Sequence, residues 1–169
     1  MTYRYDPPKL RPVIAKYFDP LNVDPVGPSP IIIHKDLLTK VVDPWWKLCL
    51  ELKRDPDANR VFGWVLEMWG WALATARLGV KHKVVSELQA EPGGLGIPSI
   101  DNYYLYHYTF DLDTRAGWMW SKRHFMGQYP PRISEPPKKV TASTRRFVQM
   151  MNEAMDDPSN QPWRHASKR

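Results

Sequence analysis

The chain has 169 residues, 43% of them apolar, which supplies a hydrophobic core and suits one domain or part of a larger one. A single cysteine excludes an intrachain disulfide. No apolar run is long enough to span a membrane, and Met1-Thr2-Tyr3-Arg4-Tyr5-Asp6-Pro7-Pro8 lacks the apolar core of a secretory signal, so the sequence as written shows no address. The formal net charge of +6 favours anionic partners (phosphate groups, nucleic acid or an acidic membrane surface) without choosing among them or against plain solubility.

Residues 1–16, proline-rich and charged, predict an extended arm, with a short helical turn from Val13 to Phe18. Asp24-Pro25-Val26-Gly27-Pro28-Ser29-Pro30 is a turn-rich loop. Ile31-Ile32-Ile33-His34 then reads as a short buried strand, because a β-branched run bounded by breakers fits one. Leu37 to Val42 adds a turn of helix. Asp43-Pro44 predicts a helix start, the aspartate capping free amides and the proline fitting the first turn. Trp45, Leu48, Cys49 and Leu52 follow at helical spacing to about Arg54, which makes Cys49 a small buried thiol.

Asp55-Pro56 repeats the device. From Asp57 to about Leu78, residues Val61, Trp64, Val65, Met68, Trp69, Ala72, Leu73 and Ala76 recur three and four apart, and Gly79 caps the end. Gly63 and Gly70 are weak by helix propensity and, lying near one helix face, predict close packing of a strand or ligand there. Val84-Val85 begins a strand, and Tyr103 to Phe110, aromatic and β-branched, makes the best strand of the chain. Thr141 to Met155 is a last helix with Phe147, Val148, Met151 and Met155 as its apolar stripe. The resulting division is an arm over 1–16, one domain over 17–155 and a polar tail over 156–169.

Glu67 is a carboxylate set into a tryptophan-rich face. Charge beside large aromatic surface is costly unless paired or wet, so Glu67 either reaches water at a boundary, paired with Lys or Arg, or performs a task. The five histidines show no helix-face ligand spacing. His107, in an aromatic strand before an acidic turn, is the best single metal candidate, and a hydrogen-bonded or edge histidine is its plain alternative. Asp111-Leu112-Asp113 reads as solvated turn residues, and Gly93-Gly94-Leu95-Gly96 lacks the lysine of a phosphate loop. There is no Gly-x-Ser-x-Gly elbow. Trp118 to Arg132 mixes aromatic and basic residues, suited to stacking on bases or to lining an anionic pocket.

Taken in order, several pieces resemble one family. They are Asp24-Pro25-Val26-Gly27-Pro28-Ser29-Pro30, Asp55-Pro56-Asp57-Ala58, Gly63-Trp64-Val65-Leu66-Glu67-Met68-Trp69 and His107-Tyr108-Thr109. Lys122-Arg123, Gly127, Pro130-Pro131-Arg132 and Met151-Asn152-Glu153-Ala154 extend the series. Together, from about Tyr17 to Ala154, they resemble the C-terminal half of the hydroxyproline O-arabinosyltransferase and peptidyl serine α-galactosyltransferase family.

The resemblance implies a Golgi or endoplasmic reticulum enzyme with a GT-A-like α/β fold, represented here by its C-terminal part with a loop-rich, incomplete sheet. It implies transfer of a sugar, with retention of configuration, from UDP-galactose or UDP-arabinofuranose to serine or hydroxyproline of secreted glycoproteins. The fold implies a divalent metal, usually Mn²⁺. Carried onto this sequence, His107 stands near metal and diphosphate, Lys122 and Arg123 steady the leaving diphosphate, Glu67 faces the sugar or acceptor, and Asp24 and Ser29 belong to the loop beside the sugar. Trp64 and Trp69 are assigned to the core. The acidic donor-site motif and the membrane anchor of such enzymes are not seen in this sequence, so the chain is expected to be a fragment or one piece of a split enzyme, with an incomplete metal site. The alternatives are a non-catalytic module that holds proline-rich peptides in an aromatic groove and a basic protein associated with nucleic acid; no nucleic-acid partner is expected on the main reading.

Overall fold

The computed structural model describes residues 9–26, 30–90, 100–108, 111–112, 116–126, 128 and 130–160. The chain divides into two compact units, Met1–Val85 and Ser86–Arg169.

The first unit is helical in its described residues. Helix α1, Leu10–Ala15, starts inside the stretch expected to be an extended arm, because Val13 and Ile14 find a core to enter. They pack with Leu48, Leu52, Ala58, Phe62, Trp69 and Leu73. A six-residue helix is too short to persist on propensity alone, so this burial is what holds it.

Ile31–Ile33 is not a strand. The segment makes no ladder, and Ile31 and Ile32 are exposed, 47% and 80%, while Ile33 turns partly inward. A strand needs a neighbour for its amides and carbonyls, and no strand lies beside it among the described residues of this unit. His34 instead caps helix α2, Lys35–Arg54, its Nδ1 accepting the Asp36 amide at 3.3 Å. The helix therefore begins well before the expected start at Asp43. Pro44 lies inside it, where it removes one backbone donor. Asp43 pairs with Lys47 at 2.6 Å instead of capping. The 20 residues run about 30 Å.

Asp55 ends α2 and begins helix α3, Pro56–Phe62. Its amide donates to the Glu51 carbonyl, and its carboxylate accepts the amides of Asp57 and Ala58. The Tyr17 hydroxyl at 2.7 Å and the Lys16 ammonium at 3.1 Å converge on the same carboxylate, tying the segment after α1 to this junction.

The long helix expected from Asp57 to Leu78 is broken. Gly63 sits at φ 53°, ψ −130°, a conformation that only glycine adopts readily, and ends α3. A 3-10 turn, Gly63–Val65, leads into helix α4, Leu66–Arg77. The break shifts the helical phase: Trp69 is buried and stacks on Phe62 with ring centroids 5.0 Å apart, but Trp64, assigned to the core with it, is 77% exposed. Gly70 meets its expectation of close packing, against a helix rather than a strand or ligand. It is buried where α4 crosses α2, and a Cβ there would stand 2.5 Å from Cys49 Sγ.

Val84-Val85, at the end of the first unit, forms no strand. In the second unit, strand β1, Gln89–Ala90, pairs in parallel with β2, Leu105–Tyr106, Gln89 opposite Leu105 and Ala90 opposite Tyr106. The strand expected from Tyr103 to Phe110 is thus two residues long within the described part; Thr109 and Phe110 lie outside it. Helix α5, Ala142–Asp156, is capped by Thr141, whose Oγ1 accepts the Thr144 amide. Phe147, Val148 and Met155 of the expected stripe are buried and Met151 partly so. Phe147 stacks on Tyr106 and Tyr108, both at 5.2 Å, and Trp120 completes this aromatic core. Asn152 is a buried polar member of the stripe. Its amide group accepts the Ile133 N–H at 2.8 Å and donates to the Ile133 carbonyl at 2.9 Å, so one side chain pins the proline-rich segment to α5. The expected tail over 156–169 begins with the last residue of α5 and a 3-10 turn, Pro158–Asn160.

Candidate functional site

In the first unit a pocket of about 270 Å³ opens between α2, α4 and the segment around Ile31, lined by Val26, Ile31, Ile33, Leu38, Trp45, Met68, Trp71 and Glu67. Glu67 is its one charged residue. Ligand pockets span roughly 300–1,000 Å³, so this pocket lies at the small end of that range.

Two indoles form its wall. Trp45 and Trp71 meet edge to face, 5.3 Å apart at 87°, the geometry in which the positive ring edge meets the negative face. The Trp45 indole N–H donates to the Glu67 carbonyl at 2.9 Å, holding α2 against the first turn of α4. The Trp71 indole N–H donates to His82 Nε2 at 3.1 Å. The His82 amide in turn donates to Asp24 at 3.0 Å, and Lys81 pairs with Asp24 at 3.4 Å. The His82 amide beside it lowers the Asp24 pKa from the ordinary carboxylate value, and burial lowers that of the His82 imidazole.

Glu67 itself is exposed in the first turn of α4, where a carboxylate also suits the helix dipole. It reaches water at the boundary, as the plain alternative expects, although among the described residues its carboxylate has no ion-pair partner. Asp24, expected beside the sugar, is engaged in holding the segment after α4. Ser29 lies outside the described residues.

The remaining candidates belong to the second unit. His107 follows β2, its amide donating to the Ala90 carbonyl at 2.9 Å; its exposed ring places Nδ1 3.3 Å from Gln89 Nε2. Lys122 opens a 3-10 turn, Lys122–Phe125, capped by Ser121. Its ammonium donates to the Tyr108 carbonyl at 2.8 Å and lies 5.1 Å from that ring's centroid. The cation expected to steady a diphosphate is therefore in use, closing its own loop onto the residue after His107. Arg123 is exposed. Among the described residues no three His, Cys, Asp or Glu side chains converge, so the side chains present do not by themselves form a metal cage around His107. No helix among the described residues is long and apolar enough to cross a membrane.

The sequence reading missed Trp45 and Trp71 as pocket residues and His82 as the partner of Trp71. Trp45 was legible only as a helix residue, and Trp71 lies outside the stripe that a continuous helix would present. Gly63, read as a weak spot, was the signal that the stripe breaks.

Comparison with known proteins places these features in a family. Residues 1–84 match the N-terminal domain model, and residues 104–163 the C-terminal domain model, of the hydroxyproline O-arabinosyltransferase family. The match thus takes in the N-terminal model as well as the C-terminal half expected from the motifs. Hydroxyproline O-arabinosyltransferase RDN2 of Medicago truncatula is 34% identical over 164 residues, covering 88% of this chain and 45% of the relative. NOD3 of Pisum sativum, of the same designation, is 37% identical over 147 residues, 79% of this chain and 42% of the relative. A peptidyl serine α-galactosyltransferase of Arabidopsis thaliana is 26% identical over 115 residues, 63% of this chain and 14% of the relative. The chain spans less than half the length of these relatives, and no solved structure matches it. With both domain models matched in order along it, the chain belongs to the hydroxyproline O-arabinosyltransferase family.

Proposed function

We propose that this chain is part of a protein O-glycosyltransferase, and that the Glu67 pocket holds the acceptor residue. The observation that carries the placement is a small apolar pocket whose one charged residue among the described lining is Glu67. A hydroxyproline has the complementary chemistry: an apolar ring with one hydroxyl. Aromatic-lined grooves favour proline rings, and the Glu67 carboxylate accepts a hydrogen bond from the ring hydroxyl, orienting its oxygen for attack on the anomeric carbon of the donor. Serine, smaller and without the ring, fills the pocket less well, so its apolar lining favours hydroxyproline.

UDP-arabinofuranose or UDP-galactose as donor, retention of configuration, a GT-A-like fold and a Golgi or endoplasmic reticulum location belong to the same proposal and rest on the family resemblance. His107 is the proposed contribution of this chain to a divalent-metal site such as Mn²⁺, with Arg123 the cation nearby in sequence that faces solvent. The acceptor chemistry assigned to Glu67 requires nothing of that ion.

The test is calorimetric titration with a hydroxyproline-rich peptide and its proline counterpart. A hydrogen bond to a charged group is worth about 1.5–3 kcal/mol, so the hydroxylated peptide should bind about tenfold or more tightly. Glu67→Gln should remove most of that preference and leave the proline peptide unchanged. Equal binding of both peptides by the native chain ends the acceptor assignment. A second reading, a module that holds proline-rich peptides without transfer, is favoured by the same apolar lining. Hydroxyproline preference combined with UDP-sugar-dependent transfer decides against it.

A further inference from the structure

The indole N–H of Trp71 is a donor and nothing else. Its 3.1 Å contact with His82 Nε2 therefore requires that nitrogen to be without a proton, so the neutral ring carries its proton on Nδ1. Trp71 is also a wall of the Glu67 pocket and the edge-to-face partner of Trp45. We infer that His82 is a proton-sensitive latch: as the neutral Nδ1–H tautomer it holds Trp71 in the pocket wall, and on protonation it releases that indole and loosens the pocket.

The step balances simply. A proton from water adds to the Nε2 lone pair, both ring nitrogens become donors, and two N–H groups face each other where one hydrogen bond stood. The charged groups facing His82 are few. Asp24 accepts its backbone amide and favours the protonated ring, whereas Lys81, the preceding residue, disfavours it. Burial, the largest effect, acts with Lys81 against Asp24 and sets the imidazole pKa below its ordinary 6.5. The latch is accordingly closed at neutral pH and opens as pH falls through the lowered value. Its folded-state pKa being depressed, it contributes stability above the unfolded value that is lost on acidification. His82 is a positioning residue in this scheme, acting through Trp71, and the latch stands whatever the pocket holds.

Nuclear magnetic resonance of the ¹⁵N-labelled chain tests it. The Trp71 indole N–H signal, assigned with Trp71→Phe, is followed from about pH 8 to about pH 5, spanning the histidine range, alongside the His82 ring nitrogens. The expected result is a neutral His82 with Nε2 unprotonated. On acidification the Trp71 indole proton moves upfield, and its Overhauser contacts to Trp45 weaken with the same midpoint. His82→Gln places a carbonyl acceptor near Nε2 with nothing to titrate, so the Trp71 signal should stay at its neutral position at every pH. His82→Ala should leave it at the acid position throughout. A neutral His82 protonated on Nε2 overturns the proposal. So does a Trp71 signal that ignores the His82 titration, or one that still titrates in His82→Gln.

Discussion

The tightest crossing in the first unit makes a quantitative prediction. In Gly70→Ala the new methyl would stand 2.5 Å from Cys49 Sγ and 3.4 Å from Trp45 Cδ1. Non-bonded carbon contacts prefer about 3.5–4.0 Å, so the sulfur is overlapped by about 1 Å. The thiol escapes only by leaving its rotamer well, or α2 moves away, and overpacking of this kind costs about 1–3 kcal/mol. Replacing glycine with alanine inside a helix returns about 1 kcal/mol of propensity. The net expectation is a loss of about 1 kcal/mol, or about 4–8 °C in the melting of a unit of this size. Cys49→Ala alone should cost under about 1 kcal/mol, the worth of one small group that is half-buried rather than buried as the helix spacing suggested. The double variant has the propensity gain without the overlap, and should be at least as stable as the native chain. Urea denaturation of all four proteins, followed by helical circular dichroism, gives a coupling energy expected at about 1–3 kcal/mol in favour of the pair. Additivity to within about 0.5 kcal/mol, or a full 1 kcal/mol gain from Gly70→Ala alone, would refute the packing argument.

Gly63→Ala meets no atom within 4 Å, so its cost is backbone strain alone, about 1–3 kcal/mol. A urea midpoint equal to the native one would count against the helix break. Asn152→Ala leaves the amide and carbonyl of buried Ile133 unpaired and should cost about 2–4 kcal/mol in total; an unchanged melting temperature removes the clamp from the account. The Tyr17 hydroxyl and the Lys16 ammonium pull the Asp55 pKa down from 3.8 to about 2. Its contribution is present above the ordinary carboxylate value and is lost as pH falls toward about 2. Asp55→Asn should flatten the acid limb of stability against pH measured by urea midpoints, and parallel limbs for the two proteins would contradict the assignment.

Much of the architecture follows from local chemistry that any reader of the residues can apply. Asp55-Pro56 announces a helix start because a capping oxygen and a preset φ act within one turn, and it works as expected; Thr141, read as the first residue of the last helix, is its cap. The α5 stripe is legible because a 3.6-residue period needs no knowledge of what it packs against. The family resemblance is of the same kind, carried by short motifs in order.

What the residues alone do not decide is where local preferences compete with distant partners. Asp43-Pro44 is as good a start signal as Asp55-Pro56, yet α2 runs through it, because Val41 is fully buried and the turn before Pro44 is needed to hold it there. Ile31–Ile33 has strand composition but no ladder, and a strand is a property of two segments. Glu67 stood out by its aromatic neighbours in sequence, Trp64 and Trp69. Its neighbours in the pocket are Trp45 and Trp71, brought there by the turn at Gly63 and the close crossing at Gly70. Which indole a carboxylate meets, and which histidine fixes that indole, depends on helix phase and crossing, and those are settled only when the whole core packs.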